Sequence, residues 1–153
     1  PDPDFSCFPK DRYAVLCRFH PNQALAGGNR DSDYPQEGIF DLLQMCDYFI
    51  TDYSSLALEA AAMDKPTLFY LPDDERYRSE NGVNIDLFQV MPHCTFTAQE
   101  DLFRMIDSGA YPLEALQTYK KMYLPQDLGH ATEKITELIL QDDRTLKKEA
   151  AAC

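Results

Sequence analysis

Residues 47–55, DYFITDYSS, run directly into residues 56–63, LALEAAAM, and this junction is the most informative part of the sequence. The aromatic and β-branched residues of the first part predict a short buried strand over Tyr48–Thr51, and the Ala- and Leu-rich second part predicts a helix over Ser54–Met63. Where a strand gives way to a helix at two serines, free backbone N–H groups, hydroxyl donors and the positive end of the helix dipole meet at one place. Such a junction favours the binding of a phosphate group.

Similar patterns recur on both sides of this junction. Further strands are predicted over Tyr13–Phe19, Thr67–Leu71 and Cys94–Phe96. Helices are predicted over 39–46, over the charged segment 73–80, after a capping box formed by Thr97 and Glu100, and over 113–123 and 131–140. Strands that alternate with helices predict an α/β fold with a three-layer, Rossmann-like parallel sheet.

The order of these elements also predicts where a ligand binds. In parallel sheets of this kind, ligands lie outside the carboxyl ends of the strands. His20 and Pro21 follow the first predicted strand, and Asp52–Ser55 follow the second. The fold rule and the chemistry of the serine junction therefore indicate the same edge of the sheet.

Length and charge limit the classes of function. The 153 residues suffice for one α/β domain with a core and are too few for two ordinary domains. We predict an irregular segment over 1–12, a Rossmann-like domain over 13–141 and a disordered tail over 142–153. A formal net charge of −12 excludes a broad nucleic-acid-binding surface, because phosphate backbones require clustered Lys and Arg. A single nucleotide needs only a few local donors and remains compatible with this charge.

The cysteines and histidines give further limits. The five cysteines are widely spaced and form no Cys-x-x-Cys pair, and Cys17 and Cys46 lie in apolar runs. Free cysteines in such runs behave as small apolar side chains, which indicates a reducing compartment. No segment has the pattern of a signal peptide or a membrane-spanning helix. His93 and His130 have no suitably spaced partners, so the sequence predicts no metal site.

Ser54 and Ser55 admit two interpretations. Serine is a common helix N-cap, and one of the pair can serve that purpose alone. Two adjacent serines after a strand are explained less easily by capping than one, and phosphate binding accounts for both. The Gly-x-x-x-x-Gly-Lys motif of a P-loop is absent.

Three charged or titratable residues near these segments are also candidates. His20 can donate to a pyrophosphate oxygen, although a structural role is as frequent for a single histidine in such a position. Arg18 alternates with His20 and so shares its side of the predicted strand, where it needs a phosphate or an ion pair with Asp47 or Asp52. Glu59 lies one helical turn beyond Ser55, where a carboxylate can accept from ribose hydroxyls or simply face solvent.

Taken together, several segments resemble the CDP-glycerol glycerophosphotransferase family, which comprises teichoic-acid primases and polymerases. The resemblance is carried by Arg18–Asn22, Asp47–Ser55, Asp64–Tyr70, Tyr77 with Gly82 and Asp86, and Asp127–Ala131. It covers about residues 13–140. The block Ile50–Ser55 followed by Asp64–Pro66 is its most specific part.

This resemblance implies an architecture and a reaction. The chain would be the C-terminal, donor-binding half of a two-domain GT-B type transferase that moves glycerol phosphate from CDP-glycerol to a wall-polymer acceptor. Its partners would be a CDP-linked donor, the polymer acceptor and a missing N-terminal half that carries the base for the acceptor hydroxyl. No cofactor or metal is implied. The location would be the cytoplasm, at the inner face of the membrane through parts outside this chain, and the chain alone would be inactive.

The resemblance also implies roles for individual residues. His20 would be the catalytic residue that contacts the donor pyrophosphate, and Ser54 and Ser55 would hold phosphate oxygens. Glu59 would meet the ribose hydroxyls. The remaining donor-binding residues would be Arg18, Pro21 and Asp52.

Departures from the family pattern leave alternatives open. The family's Arg-Gly-Phe-Tyr-Phe-Asp segment is Asn81–Asp86 here, and its Pro-Gly-Pro segment is Met91–His93. CDP-ribitol or another nucleotide-linked donor is therefore compatible with the sequence. Two other classes are a nucleotide-sugar glycosyltransferase or epimerase half, and a non-catalytic module whose acidic surface binds a protein.

Overall fold

A computed structural model describes residues 4–9, 11–19, 34, 36–126 and 128–151, with side chains up to residue 141 except that of Cys7. After one turn of 3₁₀ helix over Phe5–Cys7, the elements are α1 (Ile39–Met45), β1 (Phe49–Thr51), α2 (Leu56–Ala62), β2 (Thr67–Tyr70), α3 (Asp74–Asn81), α4 (Leu87–Val90), β3 (Thr95–Phe96), α5 (Gln99–Ser108), α6 (Leu113–Tyr123) and α7 (Ala131–Ala151).

The described strands form one parallel sheet. The strand order is β1-β2-β3, with Ile50 opposite Leu68 and Phe69 opposite Thr95. Neighbouring strands in the sheet are also consecutive in the sequence, and each crossover between them contains helix, as is usual for parallel pairs. The α/β class and the parallel sheet predicted from the sequence are thus confirmed, and each of these strands begins and ends within about one residue of its prediction.

The predicted first strand is wrong. Residues 13–19 have no regular secondary structure and pair with no described strand. A strand forms only where a neighbouring strand pairs with its backbone N–H and C=O groups, so a mostly apolar run does not by itself predict a strand. Arg18 is accordingly exposed rather than enclosed in a buried strand.

Helix starts differ from the predicted caps. α2 begins at Leu56, after the predicted Ser54. The capping box at Thr97 is also wrong, because α5 begins at Gln99 with Ala98 as its N-cap residue and without a side-chain capping bond. The helix ends follow the sequence more closely. α5 ends at Ser108, and its C-cap residue Gly109 has a positive φ of 64° that glycine adopts without strain.

The core lies between β2, α2, α5 and α6. Leu68 and Phe69 of β2 are fully enclosed, and Leu102 and Leu116 pack into the same cluster from α5 and α6. Ala57 and Ala61 are also buried, and their small side chains allow α2 to pack closely on α6. This packing fixes α2, and with it the junction that follows β1.

Both ends of the chain carry more structure than the sequence predicts. Phe5 and Phe8, in the segment 1–12, pack their rings against Phe103 at centroid distances of 5.2 and 4.5 Å. α7 continues from Ala131 to Ala151, so 142–151 is helical where a disordered tail is predicted. Ala, Lys and Glu dominate the end of this helix, and all three are good helix formers. No helix in the described part of the chain is long and apolar enough to cross a membrane.

Candidate functional site

Asp52–Ser55 form an exposed turn at the carboxyl end of β1. The carboxylate Oδ1 of Asp52 accepts a hydrogen bond from the Ser54 amide at 3.1 Å. The Ser54 hydroxyl oxygen accepts from the Leu56 amide at 3.3 Å. These two local bonds fold the backbone back on itself, as Asp and Ser side chains commonly do at the start of a helix.

The two serines therefore have different environments. Ser54 serves the helix start, as the capping interpretation predicts, through its bond to Leu56. Ser55 is the N-cap residue, yet its hydroxyl makes no capping bond with any described residue. Its side chain is exposed, so the Ser55 hydroxyl is available to an approaching anion.

The backbone donors at this turn are fewer than the sequence suggests. The Ala57 amide donates to the Ser54 carbonyl at 3.2 Å, and the Leu58 amide donates to the Ser55 carbonyl at 2.9 Å. Together with the bond from Leu56 to Ser54, these contacts satisfy the first amides of α2 internally. Among the described residues, the Ser55 amide has no acceptor, so the amide and hydroxyl of Ser55 remain as the donors of this turn.

Glu59 lies one turn further along α2. Its side chain is exposed. Burial raises the pKa of Tyr119 on α6, and electrostatic interactions with Tyr123 and Glu59 raise this pKa further. The exposed Glu59 carboxylate can accept a hydrogen bond from a ligand hydroxyl.

The histidine segment cannot be placed beside this turn. His20 and Pro21 lie outside the described residues. Arg18, at the end of the preceding described segment, donates from Nη1 to the carbonyls of Tyr34 and Glu37 at 2.9 and 3.1 Å. Its guanidinium thus binds backbone of the following segment rather than Asp47 or Asp52. The roles predicted for these three residues stay predictions.

A polar network that the sequence analysis missed begins at Tyr53, inside the turn. The Tyr53 hydroxyl donates to Asp74 on α3. Arg78 donates from Nε to both oxygens of Asp74, at 2.8 and 2.7 Å, and from Nη2 to Asp86 at 3.0 Å. Asp86 in turn accepts from the Phe88 amide at 3.2 Å and caps α4.

Ring stacking reinforces this network. The rings of Tyr53 and Tyr77 are nearly parallel, with an angle of 11° and a centroid distance of 4.2 Å. The pairing of Asp74 with Arg78 could have been predicted, since the two residues are four apart on one helix. The link to Tyr53 could not, because it joins segments that only the fold brings together.

The charges of the network alter its titration. Burial raises the pKa of Tyr53, and the hydrogen bond and charge of Asp74 raise it further. Hydrogen bonds to Asp74 and Asp86 raise the pKa of Arg78. The phenol therefore stays protonated and the guanidinium charged throughout the physiological range. Within the described ranges, no group of three or more His, Cys, Asp or Glu side chains could hold a metal ion.

Comparison with known proteins adds independent findings. The family model of CDP-glycerol:poly(glycerophosphate) glycerophosphotransferase matches residues 5–141. A teichoic acid glycerol-phosphate primase of Staphylococcus aureus is 30% identical over 133 residues, which cover 83% of this chain and 34% of that protein. A teichoic acid poly(ribitol-phosphate) polymerase of Bacillus spizizenii is 24% identical over 156 residues, which cover 91% of this chain and 25% of the polymerase.

A third relative is similar over a shorter region. A teichoic acid glycerol-phosphate primase of Bacillus subtilis is 31% identical over 104 residues, which cover 65% of this chain and 27% of the primase. The chain therefore spans only about a quarter to a third of the length of these curated relatives. The matched region of the family model includes the Asp52–Ser55 turn and the network at Tyr53.

Proposed function

This chain belongs to the CDP-glycerol:poly(glycerophosphate) glycerophosphotransferase family, and from that premise we propose that it supplies the donor-binding part of a teichoic acid transferase. The observation that carries the proposal is the family match over residues 5–141, which includes an exposed serine turn at the carboxyl end of a parallel strand. The donor in this proposal is CDP-glycerol and the group transferred is glycerol phosphate. The acceptor is a teichoic acid polymer.

The serine turn is the proposed contact with the donor phosphates. The amide and hydroxyl of Ser55 can each donate to a phosphate oxygen, and the Asp52–Ser54 bond holds the backbone that presents them. Glu59, one helical turn away, is the proposed acceptor for the ribose hydroxyls. Arg18 and Pro21 are proposed to border the donor.

His20 is the proposed catalytic residue. When the bond to glycerol phosphate breaks, negative charge grows on the phosphate oxygen that leaves with CMP. An imidazole N–H close to that oxygen would stabilise the charge as it develops. No metal ion or other cofactor is part of this proposal.

Acceptor binding and removal of the acceptor proton are assigned to another part of a family enzyme. This chain spans about a third of the S. aureus primase. We propose that the complete reaction also uses groups from outside these residues. We expect the chain alone to bind the donor weakly and to transfer nothing. The proposed location of the complete enzyme is the inner face of the cell membrane.

A ribitol donor is the second candidate. The polymerase of B. spizizenii that matches 91% of this chain carries ribitol phosphate in its name. Asn81–Asp86, where the sequence departs from the family pattern, runs from the last residue of α3 to the network residue Asp86, which caps α4. CDP-glycerol and CDP-ribitol share the cytidine diphosphate, so the proposed serine contacts are the same for both.

Calorimetric titration of the chain with CMP, CDP-glycerol, CDP-ribitol and a UDP-sugar tests the proposal. We expect the three cytidine ligands to bind, the UDP-sugar to bind at least about tenfold more weakly, and Ser55→Ala to weaken CMP binding by about tenfold, as the loss of a hydrogen bond to a charged group does. Ser108→Ala is the matched control, because Ser108 is an exposed serine with local bonds at the far end of α5. Preference for the UDP-sugar supports a nucleotide-sugar enzyme, and absence of any nucleotide binding supports a protein-binding module.

A further inference from the structure

We propose that Tyr53 and Arg78 are positioning residues, which hold the Asp52–Ser55 turn in its donor-binding conformation through Asp74 and Asp86. The inference rests on the proposed function for its ligand, because it assigns the donor phosphates to this turn. Neither residue is expected to touch the reacting atoms. Their effect on binding passes through the backbone of the turn.

The connectivity of the network supports this role. Tyr53 lies between Asp52 and Ser54, so its side chain leaves the turn from the middle. Its hydroxyl donates to Asp74, which Arg78 holds by two hydrogen bonds of 2.8 and 2.7 Å. A chain of polar contacts therefore links the turn to α3 and, through Asp86, to the start of α4.

The geometry limits the freedom of Tyr53. Tyr77 stacks on its ring at 4.2 Å while Asp74 holds the hydroxyl at the ring's far end. A ring fixed on one face and at its tip cannot change its rotamer without breaking both contacts. The backbone on either side of Tyr53, which includes the Ser54 amide that binds Asp52, is restrained with it.

Burial and charge explain why this network has a positional effect rather than a large effect on stability. α3 has no buried residue, and Asp74 and Tyr77 attach it to the turn through their contacts with Tyr53. The side chains of Arg78 and Asp74 are 29% and 15% exposed, which places the ion pair at the rim of the core. Half-buried polar networks of this kind specify a geometry more than they add net stability.

The test compares Tyr53→Phe and Arg78→Gln with Arg76→Gln. Arg76 lies on the same helix and pairs with Asp73 at 2.8 Å, but its side chain is 69% exposed and its partner lies outside the network. The measurements are solvent-exchange rates of the Ser54 and Leu56 amides by NMR, the thermal midpoint, and the dissociation constant for CMP. Tyr53→Phe removes only the hydroxyl, so the ring stack and the fold are retained.

We expect the two network variants to raise the exchange rates of the Ser54 and Leu56 amides at least about fivefold and to weaken CMP binding by a similar factor. In these two variants, the exchange rates of the core amides of β2 should match those of the wild type. Arg76→Gln should match the wild type in the exchange rates and in CMP affinity. Unchanged exchange at the turn overturns the inference, and so does a general rise in exchange that includes β2. If wild type fails to bind CMP, the proposed function fails, while the exchange rates still decide whether the network positions the turn. Faster exchange with unchanged CMP affinity overturns the link between the turn and the donor.

Discussion

The ammonium nitrogen of Lys120 on α6 lies 2.7 Å from Oδ1 of Asp64, in the turn between α2 and β2. Asp64 has a φ of 55°, in the left-handed region that non-glycine residues seldom adopt, although Asp tolerates it better than most. Gln117, also on α6, donates to the same oxygen at 3.1 Å. α6 thus stabilises the turn that returns the chain from the helix of the candidate site to the centre of the sheet.

Replacing Lys120 by Met should reduce stability in a pH-dependent way. The Lys120 hydrogen bond is the largest cause that lowers the pKa of Asp64 below the ordinary 3.8. Because the pKa is lower in the folded state, the contribution is present above the unfolded value and is lost as the pH falls through the folded value. We expect urea unfolding at pH 7 to show a loss of about 0.5–1 kcal/mol, because the Asp64 side chain is 59% exposed and water screens the pair.

The difference between wild type and Lys120→Met should shrink as the pH falls below about 4, near the reference pKa of an aspartate. Lys121→Met is the matched control, since Lys121 is the next, exposed residue of α6. A difference that persists unchanged at pH 2 would show that the methylene stem of Lys120, not its charge, supports the turn.

Replacing Lys65 by Met should loosen the end of α1. The Lys65 ammonium donates to the carbonyls of Gln44 and Cys46, at 2.8 and 2.9 Å, where the helix leaves carbonyls unpaired. We expect a loss of about 1–2 kcal/mol in the free energy of unfolding, with faster amide exchange of Cys46. Lys65→Arg should recover part of the loss, because a guanidinium retains the charge and the donors. Equal stability of the Met and Arg variants would contradict this account.

The strands and helices around the core could be predicted from the sequence because each has a local signal. β2 is a continuous apolar run that ends at Pro72, and α6 begins and ends at the predicted residues Leu113 and Tyr123. The apolar run 13–19 carries a similar local signal and forms no strand. The difference lies in the neighbour that accepts the hydrogen bonds, which a local pattern does not contain.

The candidate site was predictable to a smaller extent. The sequence places Asp52, Ser54 and Ser55 in one turn, and the structure does the same. The sequence does not show that the Ser54 hydroxyl accepts from the Leu56 amide. Because Ser54 makes this bond, the exposed hydroxyl of Ser55 is the one available to a ligand. The bond from Tyr53 to Asp74 is likewise absent from any local pattern, because it depends on how α3 returns to the carboxyl end of β1.

Replacing Tyr111 by Phe should destabilise the first half of β2. The Tyr111 hydroxyl accepts from the Thr67 amide and donates to the Thr67 carbonyl, both at 3.1 Å. Thr67 is fully buried, so its amide loses a partner that water cannot easily replace. We expect a loss of about 1–3 kcal/mol in the free energy of unfolding, measured by urea denaturation.

Tyr123→Phe is the control for this experiment, because the Tyr123 ring also packs in an aromatic pair, with Tyr119 at 5.1 Å. Tyr123→Phe should lower the free energy of unfolding less than Tyr111→Phe does if the Tyr111 hydroxyl contacts stabilise β2. Equal effects of the two variants would mean that the ring of Tyr111, rather than its hydroxyl, supports β2.

An NMR titration with CMP would show whether two separate chain segments form one donor site. The resonances to follow are the Ser54 and Ser55 amides and the imidazole of His20. We expect all three resonances to shift along one binding curve with a common dissociation constant, and Ser55→Ala to weaken the binding reported by all three. Shifts confined to one segment, or different dissociation constants for the serines and the histidine, would contradict it.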